Sequence, residues 1–219
     1  MVRRDTRERV LEAALRLFND RGTAAVSTNH VAEGAGISPG NLYYHFRNKE
    51  AIIRVIFDRM DAYWEGSYAL GGGVDPSVKE LRNMVEETFS GLWEYRFFYR
   101  ELGALTRRDP ELGARYRKLR ERGLAGTEVL LLAFLEAGVL AGPEDPGALS
   151  RLAKTLMLVA EFWMPFEETG SEALEHEPSR EGVELMMQVL EPYLADGETA
   201  GVAGLEAGIG AHARKGGGR

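Results

Sequence analysis

Twenty residues, Ser27-Thr-Asn-His-Val-Ala-Glu-Gly-Ala-Gly-Ile-Ser-Pro-Gly-Asn-Leu-Tyr-Tyr-His-Phe46, carry more of the architecture than any other part of this chain. They divide into two short helices joined by a tight turn. Val31 and Ala32 give the first helix an apolar side, and Ser27 or Thr28 can cap its free N–H groups. Gly34 and Gly36 bracket a turn where a side chain would clash or require a positive φ, and Ile37 plugs between the helices. Ser38 caps the second helix, Pro39 takes its first position, and Leu42 and Phe46 anchor it at i, i+4 spacing. Its outer surface is then Gly40, Asn41, Tyr43, Tyr44 and His45. That face has hydrogen-bonding tips and little charge, as a helix entering a DNA groove needs. Turn spacing alone fits an ordinary helical hairpin equally well.

The flanks weigh against the hairpin. Upstream, Thr6 to Arg21 sets Val10, Leu11, Ala14, Leu15, Leu17 and Phe18 toward a core at helical spacing, and Gly22 ends that helix. Downstream, Asn48 caps a helix that carries Ile52, Ile53, Val55, Ile56 and Met60 and runs toward Tyr68.

At these residues the chain resembles the TetR family of bacterial transcriptional regulators. The matching features are Arg9-Val-Leu-Glu-Ala-Ala-Leu-Arg-Leu-Phe18, Arg21-Gly22-Thr23, Thr28, Val31-Ala32, Ala35-Gly36-Ile37-Ser38, Leu42-Tyr43-Tyr44-His45-Phe46 and Asn48-Lys49-Glu50. A further stretch, Phe97-Phe-Tyr-Arg-Glu-Leu102 with Asp109-Pro-Glu-Leu112 and Tyr116, is similar to the body domains attached to such heads. The resemblance implies a three-helix DNA-binding head, a fourth helix leading out of it, and an all-helical body that dimerises and binds a small effector. By matching position, Thr28, Asn41, Tyr43, Tyr44 and Lys49 are expected on phosphates. Asn29, Pro39 and Gly40 are expected at bases, with Asn41 or His45 beside them, and Ser38 completes the DNA-binding set. His45 has an alternative role as an interhelix hydrogen-bonding residue. Many relatives carry an arginine or a longer polar residue at the positions of Asn29 and Gly40, so strong guanine readout is not implied here.

Charge agrees with one-ended DNA binding. The net charge is −7, yet residues 1 to 55 hold nine Lys or Arg against six Asp or Glu, a surplus of +3 that leaves −10 for the rest. A basic head on an acidic body meets the duplex at one end only. Arg3, Arg4 and Arg7 either reach DNA as an arm or form a ragged basic terminus. The 219 residues are 44% hydrophobic, enough for a packed core, without any apolar run of membrane-spanning length. Cysteine is absent and the four histidines show no ligand spacing, so neither a metal nor another cofactor is expected.

The rest of the chain reads as helices, and the expected class is all-α. Gly71-Gly-Gly73 breaks the fourth helix. Later helices are expected from Asp75-Pro76 to Tyr95, Arg96 to Thr106, Asp109-Pro110 to Gly138, from Pro146-Gly147 to a kink or end at Pro165, and from Ser179 to about Ala195. Residues 1–50 form the expected head, 51–195 the body and 196–219 a mobile Gly/Ala-rich tail holding eight of the 26 glycines.

Aromatics thicken between Trp93 and Arg100. Each ring either packs a core or lines an effector pocket, and the expected pocket set is Phe89, Trp93, Phe97, Phe98, Arg100, Tyr116, Phe134 and Phe162. Glu161, flanked by apolar residues, is the odd polar group. The last two helices carry Leu152, Leu156, Val159, Trp163, Val183, Met186, Met187, Leu190 and Leu194, expected at a dimer interface because Leu185, Val189 and Phe162 supply a second apolar side.

The expected function is a homodimeric repressor, cytoplasmic and nucleoid-associated, bound to a palindromic operator and released by a small-molecule effector. The alternative is a ligand-indifferent nucleoid-associated DNA binder with the same head. No nucleophile elbow, Walker-type loop or metal-ligand spacing suggests an enzyme.

Overall fold

A computed structural model describes residues 5–67, 76–142, 145, 147–170 and 179–195. The expected Arg3–Arg4 arm, the Gly71–Gly73 break and the 196–219 tail lie outside the described residues.

The head is built by local caps. Helix α1 (Thr6–Ala25) starts on Asp5, whose carboxylate accepts from Arg7 N at 3.3 Å. Its regular turns end at Gly22, where φ is 74°, and a Cβ there would stand 3.0 Å from Glu101 Oε1. Helix α2 (Thr28–Gly34) opens with a reciprocal cap: Ser27 Oγ accepts from His30 N, and His30 Nδ1 accepts from Ser27 N, both at 3.3 Å. The chain turns at Gly36 (φ 64°) and enters α3 (Pro39–His45), where Ser38 Oγ accepts from Asn41 N at 3.2 Å. Asn48 Oδ1 accepts from Ala51 N at 2.9 Å and starts α4 (Lys49–Ser67). Val10, Leu11, Phe18, Val31, Leu42 and Ile52 meet in one buried core.

The body comprises α5 (Val78–Glu94), α6 (Arg96–Arg100), α7 (Leu102–Arg108), α8 (Pro110–Glu136), α9 (Ala148–Gly170) and α10 (Ser179–Leu190). The fold is all-α. A lone antiparallel bridge between Leu140 and Leu194 ties the end of α8 to the turn after α10. No helix among the described residues is long and apolar enough to cross a membrane.

Two helix boundaries differ from expectation, and two helices run on through residues that weaken helices. The single helix expected over 96–106 is two, because Glu101 leaves helical geometry (ψ 11°) as its carboxylate reaches back to Thr23. Helix α8 runs through Gly123 and Gly126; a helical glycine costs about 1 kcal/mol, and α8 packs on α7 and α9. Of the kink or end expected at Pro165 the end does not occur: α9 continues to Gly170, with Trp163 and Met164 buried just before the proline. Pro192 lacks an N–H, so α10 stops at Leu190 and tightens into a 3₁₀ turn, Glu191–Tyr193.

The expected dimer face needs correction. Leu152, Leu156, Trp163, Val183, Met186, Met187, Leu190 and Leu194 are buried within the protomer, and Val159 is half-buried. The reason is that α9 packs on α8 and α10 on α5, and these contacts take the richer apolar stripe of each helix. The second stripe is the one left open: Leu158, Phe162 and Phe166 follow one another at four-residue spacing on α9, exposed by 51, 47 and 73%, with Leu185 on α10.

Candidate nucleic-acid interface and body cavity

Helix α3 is fixed by its back and open at its front. Leu42 and Phe46 are buried, whereas Tyr43 is 51% and Tyr44 85% exposed. The Tyr43 hydroxyl and Thr28 Oγ1 share a hydrogen bond of 2.9 Å, which joins the start of α2 to the open side of α3. Asn29, Ser38, Pro39, Gly40 and Asn41 are exposed on the same two helices, and half-buried His45 lies edge-on to Tyr44 with ring centroids 5.2 Å apart. Nine of the ten expected DNA-binding residues therefore sit on α2, on α3 or at its cap.

Lys49 has a different partner from the one expected. Its ammonium donates to Thr23 O and, at 2.9 Å, to Val26 O, so it closes the chain leaving α1. The resemblance implies a phosphate contact for Lys49; here the half-buried side chain meets the free carbonyls after Gly22. Two positioning groups were missed. Arg9 donates to Ala35 O and, at 3.2 Å, to Gly36 O, bracing the turn between α2 and α3. His30 completes the α2 cap. Arg7 lies over the Phe46 ring at 5.4 Å.

Polar contacts join head to body. Asn19, buried on α1, donates to Glu94 O at 2.8 Å and accepts from Phe97 N at 3.1 Å; Glu101 accepts from Thr23 N at 2.6 Å and from its hydroxyl. Along α4, Arg54 grips Asp109 with Nε at 2.6 Å and Nη2 at 3.0 Å, and Asp58 and Asp61 pair with Arg115 and Arg122 of α8. The Arg54 hydrogen bond, joined by the backbone N–H groups of Leu112 and Glu111, holds the Asp109 carboxyl below its ordinary range against the opposing effect of burial.

A cavity of about 150 Å³ opens between α4, α5, α8, α9 and α10. Of the eight residues expected around an effector, only Phe134 lines it. Phe89, Phe97 and Phe98 are fully packed core rings, and Tyr116 is buried against Phe98 with ring centroids 5.7 Å apart. Trp93 and Arg100 belong to the head–body junction, where Arg100 pairs with Glu168 and donates to Asn19 O, and Phe162 faces outward. The crowded rings at the α5–α6 corner fill the core against α1 and α4. The walls are instead mostly aliphatic, methionine and threonine side chains, with Trp64 and Tyr99 among them.

Three charged residues interrupt those walls, Glu87, Arg120 and Glu161, and Glu161 alone among them is buried. It is 7% exposed and its Oε2 has no hydrogen-bond partner; Arg120 Nε comes no closer than 4.0 Å. Burial pushes its carboxyl above the ordinary range, while Tyr116 and Arg120 oppose the rise.

A helix-turn-helix head on an all-helical body with an internal cavity defines the class: a DNA-binding helix-turn-helix protein. Residues 10–56 match the family model described as bacterial regulatory proteins of the tetR family, and residues 59–202 match that described as bacterial transcriptional repressor. The crystal structure of a TetR-family transcriptional regulator from Marinobacter aquaeolei VT8 is 33% identical and superposes with a TM-score of 0.82, covering 92% of this chain and 97% of that one. Over 113 residues the chain is 32% identical to the HTH-type transcriptional regulator UidR of Escherichia coli K12, spanning 50% of this chain and 56% of the relative. Over 54 residues it is 35% identical to the HTH-type transcriptional regulator AcrR of Shigella flexneri, a quarter of either length. The chain thus spans between a quarter and about half of these curated relatives. It belongs to the TetR family and is a DNA-binding transcriptional regulator.

Proposed function

We propose that the protein is a homodimeric repressor that holds a palindromic operator at the bacterial nucleoid and lets go when a small molecule enters the body cavity. Residues 1–50 form the head and 51–195 the body. The observation that carries this reading is α3, clamped by Leu42 and Phe46 and presenting Tyr43 and Tyr44 to solvent beside Asn41 and Gly40. Thr28, Asn29, Ser38, Pro39 and His45 complete the DNA face. The open stripe Leu158, Phe162, Phe166 and Leu185 supplies the dimer contact, because an apolar face of this kind on a soluble regulator marks an association surface. Two such protomers related by a twofold axis address two half-sites.

The test is fluorescence anisotropy of the full chain with its own upstream intergenic DNA against scrambled DNA, near physiological salt. An operator is expected to bind about 10³-fold or more tighter than scrambled sequence. Equal, strongly salt-dependent binding to upstream DNA, scrambled DNA and a genomic fragment library would refute sequence-specific repression and favour a nucleoid-associated role.

A further inference from the structure

We infer that the body cavity takes an organic cation: a compact apolar amine whose ammonium sits against Glu161 Oε2. This deepens the reading of the cavity as the effector site and rests on it. Glu161 is more than nine-tenths buried in the wall, and Oε2 accepts no hydrogen bond there. A buried carboxylate oxygen without a donor is costly, and a ligand N–H removes that cost, whereas a ligand lacking a donor leaves it in place. Among the described residues two side-chain donors stand near the carboxyl: the Tyr116 hydroxyl, which opposes the effect of burial on Glu161, and Arg120, which is 52% exposed and 4.0 Å away, so it shields the site weakly and can swing out.

Charge and ring chemistry point the same way. Among the described residues the wall carries two carboxylates, Glu87 and Glu161, against one cation, Arg120. Trp64, Tyr99 and Phe134 add three aromatic rings, whose faces attract cations. The remaining wall is apolar, and an apolar cavity of about 150 Å³ holds at least a benzene-sized group. A hydrocarbon body with one protonated nitrogen satisfies all of these walls. An organic anion would meet Glu161 at close range and lose.

Three probes on one skeleton test this: phenylbutylamine, phenylbutanol and phenylbutyrate, titrated into the full chain with quenching of tryptophan fluorescence and thermal melting as readouts. The amine is expected to bind about tenfold or more tighter than the alcohol, as befits a charge-assisted bond in a dry site. In Glu161→Gln that preference is expected to vanish, with the alcohol binding at least as well as the amine. In Arg120→Ala, whose side chain is half exposed, removal of a competing cation is expected to raise amine affinity about threefold. Equal or tighter binding of alcohol or butyrate to the unmodified protein overturns the inference, as does an amine preference that survives Glu161→Gln. Failure of all three probes to bind overturns it too. If Glu161→Gln does not fold, the Arg120→Ala series decides, a fall in amine affinity counting against. Operator anisotropy on the same preparations separates the two claims: retained DNA binding without amine preference sinks the ligand class and leaves the regulator standing.

Discussion

Replacing Asp109 with asparagine removes one charge and almost no volume where α4 meets α8. Asparagine keeps an oxygen for the N–H groups of Glu111 and Leu112, which Asp109 Oδ1 accepts at 3.1 and 3.2 Å, so the α8 cap survives. What goes is the carboxylate charge and the bond from Arg54 Nε to Oδ2, where the new amide NH₂ faces the guanidinium donor to donor; the bond from Nη2 to the retained oxygen stays but is weakened. Each bond to a charged group contributes about 1.5–3 kcal/mol. Arg54 is 25% exposed and keeps Glu111 at 2.7 Å, so water and the second carboxylate recover much of the loss. The net destabilisation is about 2 kcal/mol, or a fall in Tm of about 4–8 °C for a chain of this size. The pH dependence has a definite sign. Asp109 titrates lower in the folded protein than in the unfolded chain, so its contribution is complete above the unfolded value of about 3.9 and disappears as pH falls through the native value. Urea unfolding of both proteins at one protomer concentration, from neutral pH into acid, reads this directly. Equal midpoints at neutral pH would refute the reasoning, and so would a difference that persists undiminished below the native titration. A double-mutant cycle with Arg54→Ala coupling by less than about 0.5 kcal/mol would show that the pair is not the cause.

Tyr43→Ala is expected to abolish operator binding while dimer and melting temperature stay unchanged; unaltered anisotropy would remove α3 from the interface. Phe162→Glu puts a carboxylate into the open apolar stripe of α9 and is expected to give monomers by light scattering at micromolar concentration, with weakened operator binding. A variant that stays dimeric would move the interface elsewhere. Gly182→Ala is expected to cost about 1–3 kcal/mol by overpacking, because a Cβ on α10 would overlap the Phe89 ring, itself buried edge-on against Trp163. A melting curve matching the unmodified protein would mean that α5 and α10 can part at no cost.

The head was legible because its signals are local. Ser27, Ser38-Pro39 and Asn48 each act within three residues of where they stand, and the helices begin there. The carbonyl contacts of Lys49 were not legible, because its partners, the Thr23 and Val26 carbonyls, become available only once Gly22 has broken α1. The cavity was legible in two residues, Phe134, expected in its wall, and Glu161. Glu161 showed as a polar interruption of an apolar helix, but periodicity cannot say which of two apolar stripes on α9 turns inward. Leu156 lines the cavity and Leu158, two residues on, faces out. The aromatic run from Trp93 misled for a related reason: two short helices turn its rings in several directions, and most of them fill the core.

Helix α4 is the element that the two proposed sites share. Lys49 at its start holds the chain leaving α1, and Trp64 near its end walls the cavity. At 1.5 Å per residue, Arg54 stands about 15 Å from Trp64 and about 7.5 Å from Lys49. A rigid α4 pivoting on the Arg54–Asp109 pair would therefore deliver to Lys49 only half of any displacement at Trp64. The pairs Asp58–Arg115 and Asp61–Arg122 oppose that pivot, since they fasten the far half of α4 to α8 as well. Under the proposed release, α4 and α8 then move together, and the contacts that must stretch are those of Lys49 with Thr23 and Val26. Reversing a population from 99:1 to 1:99 needs about 5.5 kcal/mol of differential binding. An ammonium on Glu161 supplies about 1.5–3 kcal/mol of that, even if the contact forms in one state only. Apolar burial that differs between the two states must provide the rest, so an amine of the wrong shape should fill the cavity and leave the protein on its operator.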